Sequence, residues 1–272
     1  MSRGDVDLAA LLALAERAAR AAGDLLLDRP ETLSVDTKSS PTDVVTQMDR
    51  AAERLLVDLL LGERPDDGVL GEEGAGIEGS SGLRWVLDPL DGTVNYLYRL
   101  PGWAVCVAAE VDGIPVVGVV HAPALDSTWV AARGGGAWRG GHPIRTGECR
   151  DLAAALVGTG FGYSAQRRAQ QADVVRNVLP RVRDIRRAGA ASIDLCHVAD
   201  GRLDAYYERG LQRWDHAAAG VVATEAGAAL RIGAGDDPQG TPVLAANPAL
   251  MGRLADLLAE AGDPGYRDAP AG

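Results

Sequence analysis

The chain has 272 residues, with 27 basic and 38 acidic side chains for a formal net charge of -11, and 47% of it is hydrophobic against 24% charged. That is too apolar for a disordered chain, carries no collagen- or solenoid-like repeat, and leaves ample length for one large core or two fused halves. The negative balance disfavours a bulk nucleic-acid binder or a protein held on an anionic membrane, since phosphate would be repelled at long range.

Between residues 7 and 28 the apolar positions Leu8, Leu11, Leu12, Ala15, Ala18 and Ala22 recur at helical spacing, and Pro30 closes that helix. A loop rich in Ser, Thr and Asp over 36–46 leads to a second amphipathic helix through Met48, Ala51, Ala52, Leu55, Leu56, Leu59 and Leu60, ending near Gly62 and Pro65. The period then changes to short β runs at 69–70, 83–87, 103–111, 115–121 and 127–132, with Asp112-Gly113 as a two-residue hairpin turn. Residues 1–150 thus read as two helices on an antiparallel sheet.

From 151 to 262 strands and helices alternate. Strands are predicted at 155–159, around Ile185, at 203–207 and at 243–246, and helices at 166–179, 192–199, 215–226 and 248–260. Such alternation suggests an α/β layer. No long linker divides the halves, so one compact unit with a shared cleft is expected, followed by a frayed tail at 263–272. Cys106, Cys149 and Cys196 are odd in number and widely spaced, matching no zinc or disulfide pattern, so free thiols are expected. With a charged start and no apolar run near about 18 residues, a cytoplasmic protein without a membrane segment is expected.

The most informative stretch is Trp85-Val86-Leu87-Asp88-Pro89-Leu90-Asp91-Gly92-Thr93. A buried strand delivers Asp88 to its end, Pro89 stops the ladder for want of an N–H, and a turn brings Asp91 to the same point. Gly92 and Thr93 add backbone N–H groups and a hydroxyl, so the stretch can hold a divalent cation and a phosphate together, although alone it is also an ordinary turn with solvated acids. Glu72 and Glu73 follow a strand-like pair, and Asp215 stands in the first turn of an apolar helix, where it is expected as the N-cap. Were Glu72, Asp88, Asp91 and Asp215 to converge, each pair would repel by about 4 kcal/mol at about 4 Å for an effective dielectric near 20. Oxygen-only ligands without His or Cys point to Mg²⁺ rather than zinc.

These segments, with Lys38-Ser39-Ser40-Pro41-Thr42-Asp43 continuing to Asp49 and with Trp214-Asp215-His216-Ala217-Ala218, resemble the motifs of the inositol monophosphatase family, over residues 9–258 or so. The resemblance implies a five-layered αβαβα sandwich, with an antiparallel sheet in the first half and a mixed sheet in the second, commonly as a homodimer. It implies two to three Mg²⁺ per site, held by Glu72, Asp88, the Leu90 carbonyl, Asp91 and Asp215, with Glu73 and Lys38 supporting them. Thr93, with Glu72 and Asp49, would orient the attacking water, and the N–H groups of Gly92 and Thr93 would bind phosphate. Gly189, Ala190, Ala191 and Glu208 match segments that contact the polyol, so myo-inositol 1-phosphate is the preferred substrate. Leu90 and Tyr96 stand where Ile and Phe are commoner in the family.

Histidinol phosphate and fructose 1,6-bisphosphate remain alternative substrates, and a regulatory protein that keeps the fold is an alternative from another class. Gly158-Thr159-Gly160-Phe161-Gly162-Tyr163 is not a dinucleotide fingerprint, because Tyr163 breaks the glycine pattern; it reads as a turn on the side of the site. Lys38, the only lysine, has no glycine-rich loop before it, and a glycosidase pair of Glu72 and Asp88 would leave Gly92-Thr93 without a role.

Overall fold

The computed structural model describes residues 6–233 and 241–266. Helix α1 (Leu8–Leu27) begins where the Asp7 carboxylate accepts the Ala10 N–H at 3.0 Å, and its stripe of Leu11, Leu14, Ala15, Ala18, Ala22 and Leu26 is buried. Where the sequence reads one loop over 36–46, two short strands, β1 (Val35–Thr37) and β2 (Val44–Thr46), pair antiparallel. Three residues are too few for a period to show. Helix α2 (Gln47–Glu63) follows at once: the Thr46 hydroxyl accepts the Met48 N–H at 3.1 Å, and Asp49 reaches back to accept the Thr46 N–H at 2.9 Å.

The first half continues with β3 (Gly68–Gly71), β4 (Gly76–Ile77), β5 (Leu83–Asp91), a short helix α3 (Thr93–Leu97), β6 (Ala104–Val111), β7 (Ile114–Ala122), β8 (Ser127–Ala132), β9 (Ala137–Arg139) and β10 (His142–Pro143). They form an eight-stranded sheet in the order β10-β9-β8-β7-β6-β5-β3-β4, antiparallel apart from the β3–β5 pair. The β6–β7 turn is the Asp112-Gly113 pair, with φ of 52° and 76°, the left-handed values a two-residue hairpin needs. Pro89 behaves differently from the sequence reading. Strand β5 does not stop there; its register on β6 slips from Asp88 opposite Cys106 to Asp91 opposite Ala104. Three steps on β5 therefore face two on β6, and the extra residue forms a bulge where the missing proline N–H costs no ladder bond.

The second half supplies β11 (Leu156–Thr159), α4 (Ala165–Val178), β12 (Asp184–Arg186), α5 (Ala191–Ala199), β13 (Ala205–Leu211), α6 (Arg213–Glu225), β14 (Ala229–Ile232), β15 (Thr241–Ala246) and α7 (Pro248–Glu260). Its five-stranded sheet is mixed, in the order β12-β11-β13-β15-β14, with β11 parallel to both neighbours and β15 antiparallel to both.

Successive residues of β5 and β6 serve two different cores. Leu87, Val105 and Val107 face α1 and α2, while Val86, Cys106 and Ala108 face α5 and α6. Both faces of the sheet are covered, so its strands read as unbroken apolar runs rather than alternating ones. The α5–α6 layer also meets Tyr206, Val243 and Ala245 of the second sheet, whose far face packs Tyr207 and Leu244 against Val174 and Val178 of α4 and Leu254 of α7. The resulting stack is αβαβα.

At the tail, where fraying is expected from 263, Asp263 instead pairs with Arg209 at 2.5 Å and Tyr266 is buried against Tyr207; residues 267–272 lie outside the described part. Among the described residues no helix is long and apolar enough to cross a membrane. Helix α6 lies so close on β7 that a Cβ at Gly118 would come within 2.2 Å of the Ala218 carbonyl oxygen. Gly118→Ala is therefore expected to lower stability in urea unfolding by about 1–3 kcal/mol. Wild-type stability in this variant would contradict that packing.

Candidate active site

The acids gather because two parallel strands, β3 and β5, end side by side. The Glu72 N–H donates to the Leu87 carbonyl at 3.2 Å, so Glu72 leaves β3 next to Asp88. Asp88 is buried, and one of its oxygens accepts the Leu90 N–H at 3.0 Å across the bulge. Asp91 accepts from the N–H of Ser192 at 2.8 Å and from its hydroxyl at 2.5 Å, which ties β5 to the start of α5. Gly92 then turns the chain with φ of 87°, where a Cβ would lie 2.8 Å from the Gly102 carbonyl oxygen. Only glycine meets both conditions. The Thr93 hydroxyl lies 3.0 Å from both the Leu90 carbonyl oxygen and Asp49.

Asp215 arrives from the other half. It is not the N-cap expected from sequence: Gln212 caps α6, and Asp215, at the third helical position, accepts the Gln212 N–H at 2.6 Å. Lys38 reaches in from the β1–β2 ribbon, its Nζ 2.9 Å from Glu72 and 2.5 Å from Glu73. Behind this pair lies a residue that sequence reading missed. Glu53 of α2 is buried and accepts the N–H groups of Glu73 at 2.8 Å and Ala75 at 3.0 Å, pinning the loop that carries Glu72. The available signal was an acid between Ala52 and Leu56 on an otherwise apolar helix face.

A cavity of about 380 Å³ opens between the halves. Lys38, Glu72, Asp91, Asp215, Gly189, Ala190, Ala191 and Glu208 all line it. Asp49, Glu73, Asp88, Leu90, Gly92 and Thr93 are not among the lining residues; Asp49, Asp88 and Leu90 are buried, while Gly92 and Thr93 are half-buried. The turn from Gly160 to Tyr163 forms part of the rim, together with Tyr206 and with Arg167, Arg187 and Asp194; the last three the sequence did not single out. The Tyr206 hydroxyl donates to Glu208.

Burial raises the pKa values of Asp88, Asp91, Asp215 and Glu208, and the charge of neighbouring acids adds to it. Asp88 and Asp215 are held well above the carboxylate range by burial first and by Glu72 next. Burial pushes Asp91 up to about 6 despite the Ser192 donors, and Glu208 up to about 7. Lys38 is raised: burial opposes its charge, but Glu72 and Glu73 outweigh it. Among the described residues no three His, Cys, Asp or Glu side chains stand at ligating distance of one point, since Glu72 leans to Lys38, Asp91 to Ser192 and Asp215 to Gln212. The donor set itself fits a hard divalent cation: oxygen only, anionic, and mutually repelling without a neutralising charge.

Residues 7–263 match the model of the inositol monophosphatase family. Inositol-1-monophosphatase SuhB of Mycobacterium tuberculosis is 44% identical over 282 residues, covering 95% of this chain and 96% of the relative. Nus factor SuhB of Escherichia coli is 37% identical over 222 residues, covering 80% and 83%. The crystal structure of extragenic suppressor protein suhB from Bartonella henselae superposes with a TM-score of 0.85 at 34% identity, covering 92% of this chain and 98% of that one.

Asp194, on the cavity wall, gives a pH prediction. Burial lifts it to about 8 from the usual 3.8, so the folded chain favours its protonated form. The stability this contributes is complete below about pH 4, declines as pH rises, and is gone once the folded group ionises near 8. Asp194→Asn should therefore gain on wild type in urea unfolding between pH 5 and pH 8.5. A gap unchanged between those two pH values would refute the assignment.

Proposed function

The chain belongs to the inositol monophosphatase family, and from that premise we propose that it is a magnesium-dependent phosphomonoesterase. Its proposed reaction converts myo-inositol 1-phosphate, or a related polyol monophosphate, to the polyol and phosphate. One observation carries this reading: acids from three separate segments, Glu72, Asp91 and Asp215, share one cavity with Glu208, which can accept hydrogen bonds from a polyol. The relative named inositol-1-monophosphatase supports the choice of substrate.

Glu72, Asp88, Asp91, Asp215 and the Leu90 carbonyl would hold two to three Mg²⁺, which when bound lower the pKa of water and offset charge developing on the phosphate. The chain's own groups do the positioning. Thr93, sharing its hydroxyl proton between Asp49 and the Leu90 carbonyl, orients the attacking water together with Glu72. The N–H groups of Gly92 and Thr93 donate to phosphate oxygens. Glu208, steadied by the Tyr206 hydroxyl, accepts from polyol hydroxyls over the backbone of Gly189, Ala190 and Ala191. Lys38 and Glu73 keep Glu72 from drifting toward the other acids. Both halves, 1–150 and 151–262, make one catalytic unit, because Asp215 and Glu208 come from the second.

Cys106, Cys149 and Cys196 are free thiols, which supports a reducing, cytoplasmic setting. A homodimer is the proposed assembled form, as the family resemblance implies.

Phosphate release from myo-inositol 1-phosphate, histidinol phosphate and fructose 1,6-bisphosphate, with Mg²⁺ and with excess chelator, tests the reading. The inositol ester is expected to turn over fastest, chelation to abolish turnover, and Asp88→Asn to lower kcat by about 10²–10³-fold or more. Turnover indifferent to both chelator and substitution would overturn it.

A further inference from the structure

Asp215 comes from a different half of the chain than Glu72, Asp88 and Asp91, so something must set the start of α6 against the first sheet. The approach from β13 is irregular. That strand loses register on β15 between Arg209 and Leu211, with Gly210 at φ of 107°. The polar tie lies two residues before Asp215. Arg213, the first residue of α6, holds Glu110 of β6 at 2.5 Å and also donates to the Gly113 carbonyl at 2.8 Å.

Glu110 has no exposed surface, and its two oxygens are divided between two guanidiniums. One serves Arg213; the other accepts from Arg84 at 2.6 and 3.1 Å, and Arg84 is its register partner on β5. The buried carboxylate thus joins α6 to the strand pair from which Asp88 and Asp91 project. Charge-assisted bonds to a fully desolvated carboxylate are short and directional, which suits them to fixing a helix end.

We infer that Arg213, acting through Glu110, is a positioning residue that sets Asp215 for ligation of the divalent cation. The inference rests on the proposed role of Asp215 as a metal ligand. Groups that orient ligands commonly change metal affinity by about 10–100-fold when removed. Arg84 shares the same carboxylate from β5, and its guanidinium hydrogen bonds go to Glu110 rather than to α6, so it separates positioning from a general loss of stability.

The test is the midpoint of Mg²⁺ binding by isothermal titration calorimetry to the full chain stripped of metal, with the metal-free melting temperature measured beside it. Arg213→Gln, at a side chain 30% exposed, is expected to raise that midpoint about ten-fold, and Glu110→Gln similarly. Arg84→Gln should lower the metal-free melting temperature yet keep the midpoint within about two-fold of wild type. If wild type responds to Mg²⁺ and Arg213→Gln has the wild-type midpoint, the positioning role is overturned while the metal reading stands. Equal midpoint shifts in Arg84→Gln and Arg213→Gln also overturn it. A wild type that does not respond to Mg²⁺ overturns the metal reading and this inference together.

Discussion

Like charges gathered in a buried cleft are the constraint on which the rest of this structure turns. Asp88, Asp91 and Asp215 each have a pKa raised by burial and by neighbouring acids, Glu72 among them. Repulsion of about 4 kcal/mol per pair at 4 Å and an effective dielectric near 20 is a large fraction of a domain's net stability. The chain meets it by giving each acid its own donor: the Leu90 N–H for Asp88, Ser192 for Asp91, the Gln212 N–H for Asp215 and Lys38 for Glu72. Three of these donors are backbone groups and cannot rotate away.

The five layers supply the rigidity that this arrangement needs. Helices α5 and α6 lie between two sheets and are apolar on nearly all sides, so neither can slide without opening two interfaces at once. Asp91 reaches the start of α5, and Arg213 at the start of α6 reaches Glu110, so the same sandwiched pair fixes the far wall of the cleft. Stability lost by crowding the acids is offset by the cores on either side, the usual exchange between stability and a working site.

Much of this was legible in the chain. Long periodic segments were read with the right type: α7 matches its predicted span, and the Asp112-Gly113 turn falls where positive φ was expected. What escaped reading depends on partners far away in sequence. Pro89 can end a strand or sit in a bulge, and only the pairing with β6 decides between them. Asp215 in a first helical turn can be a cap or a third-position acid, and the choice belongs to Gln212. Glu53, Asp194 and Glu110 are acids within apolar runs, and their burial becomes sensible only once the N–H groups or guanidiniums that meet them are placed. The ribbon that carries Lys38 was too short to show a period.

If the acids are held together at a cost that a cation relieves, removing one charge should have opposite effects with and without metal. The decisive measurement is the melting temperature of Asp88→Asn beside wild type, in chelator and in millimolar Mg²⁺. The account predicts that the variant melts above wild type in chelator and gains little from Mg²⁺, whereas wild type rises with the metal. A variant that melts below wild type in chelator, yet gains as much from Mg²⁺, would contradict it.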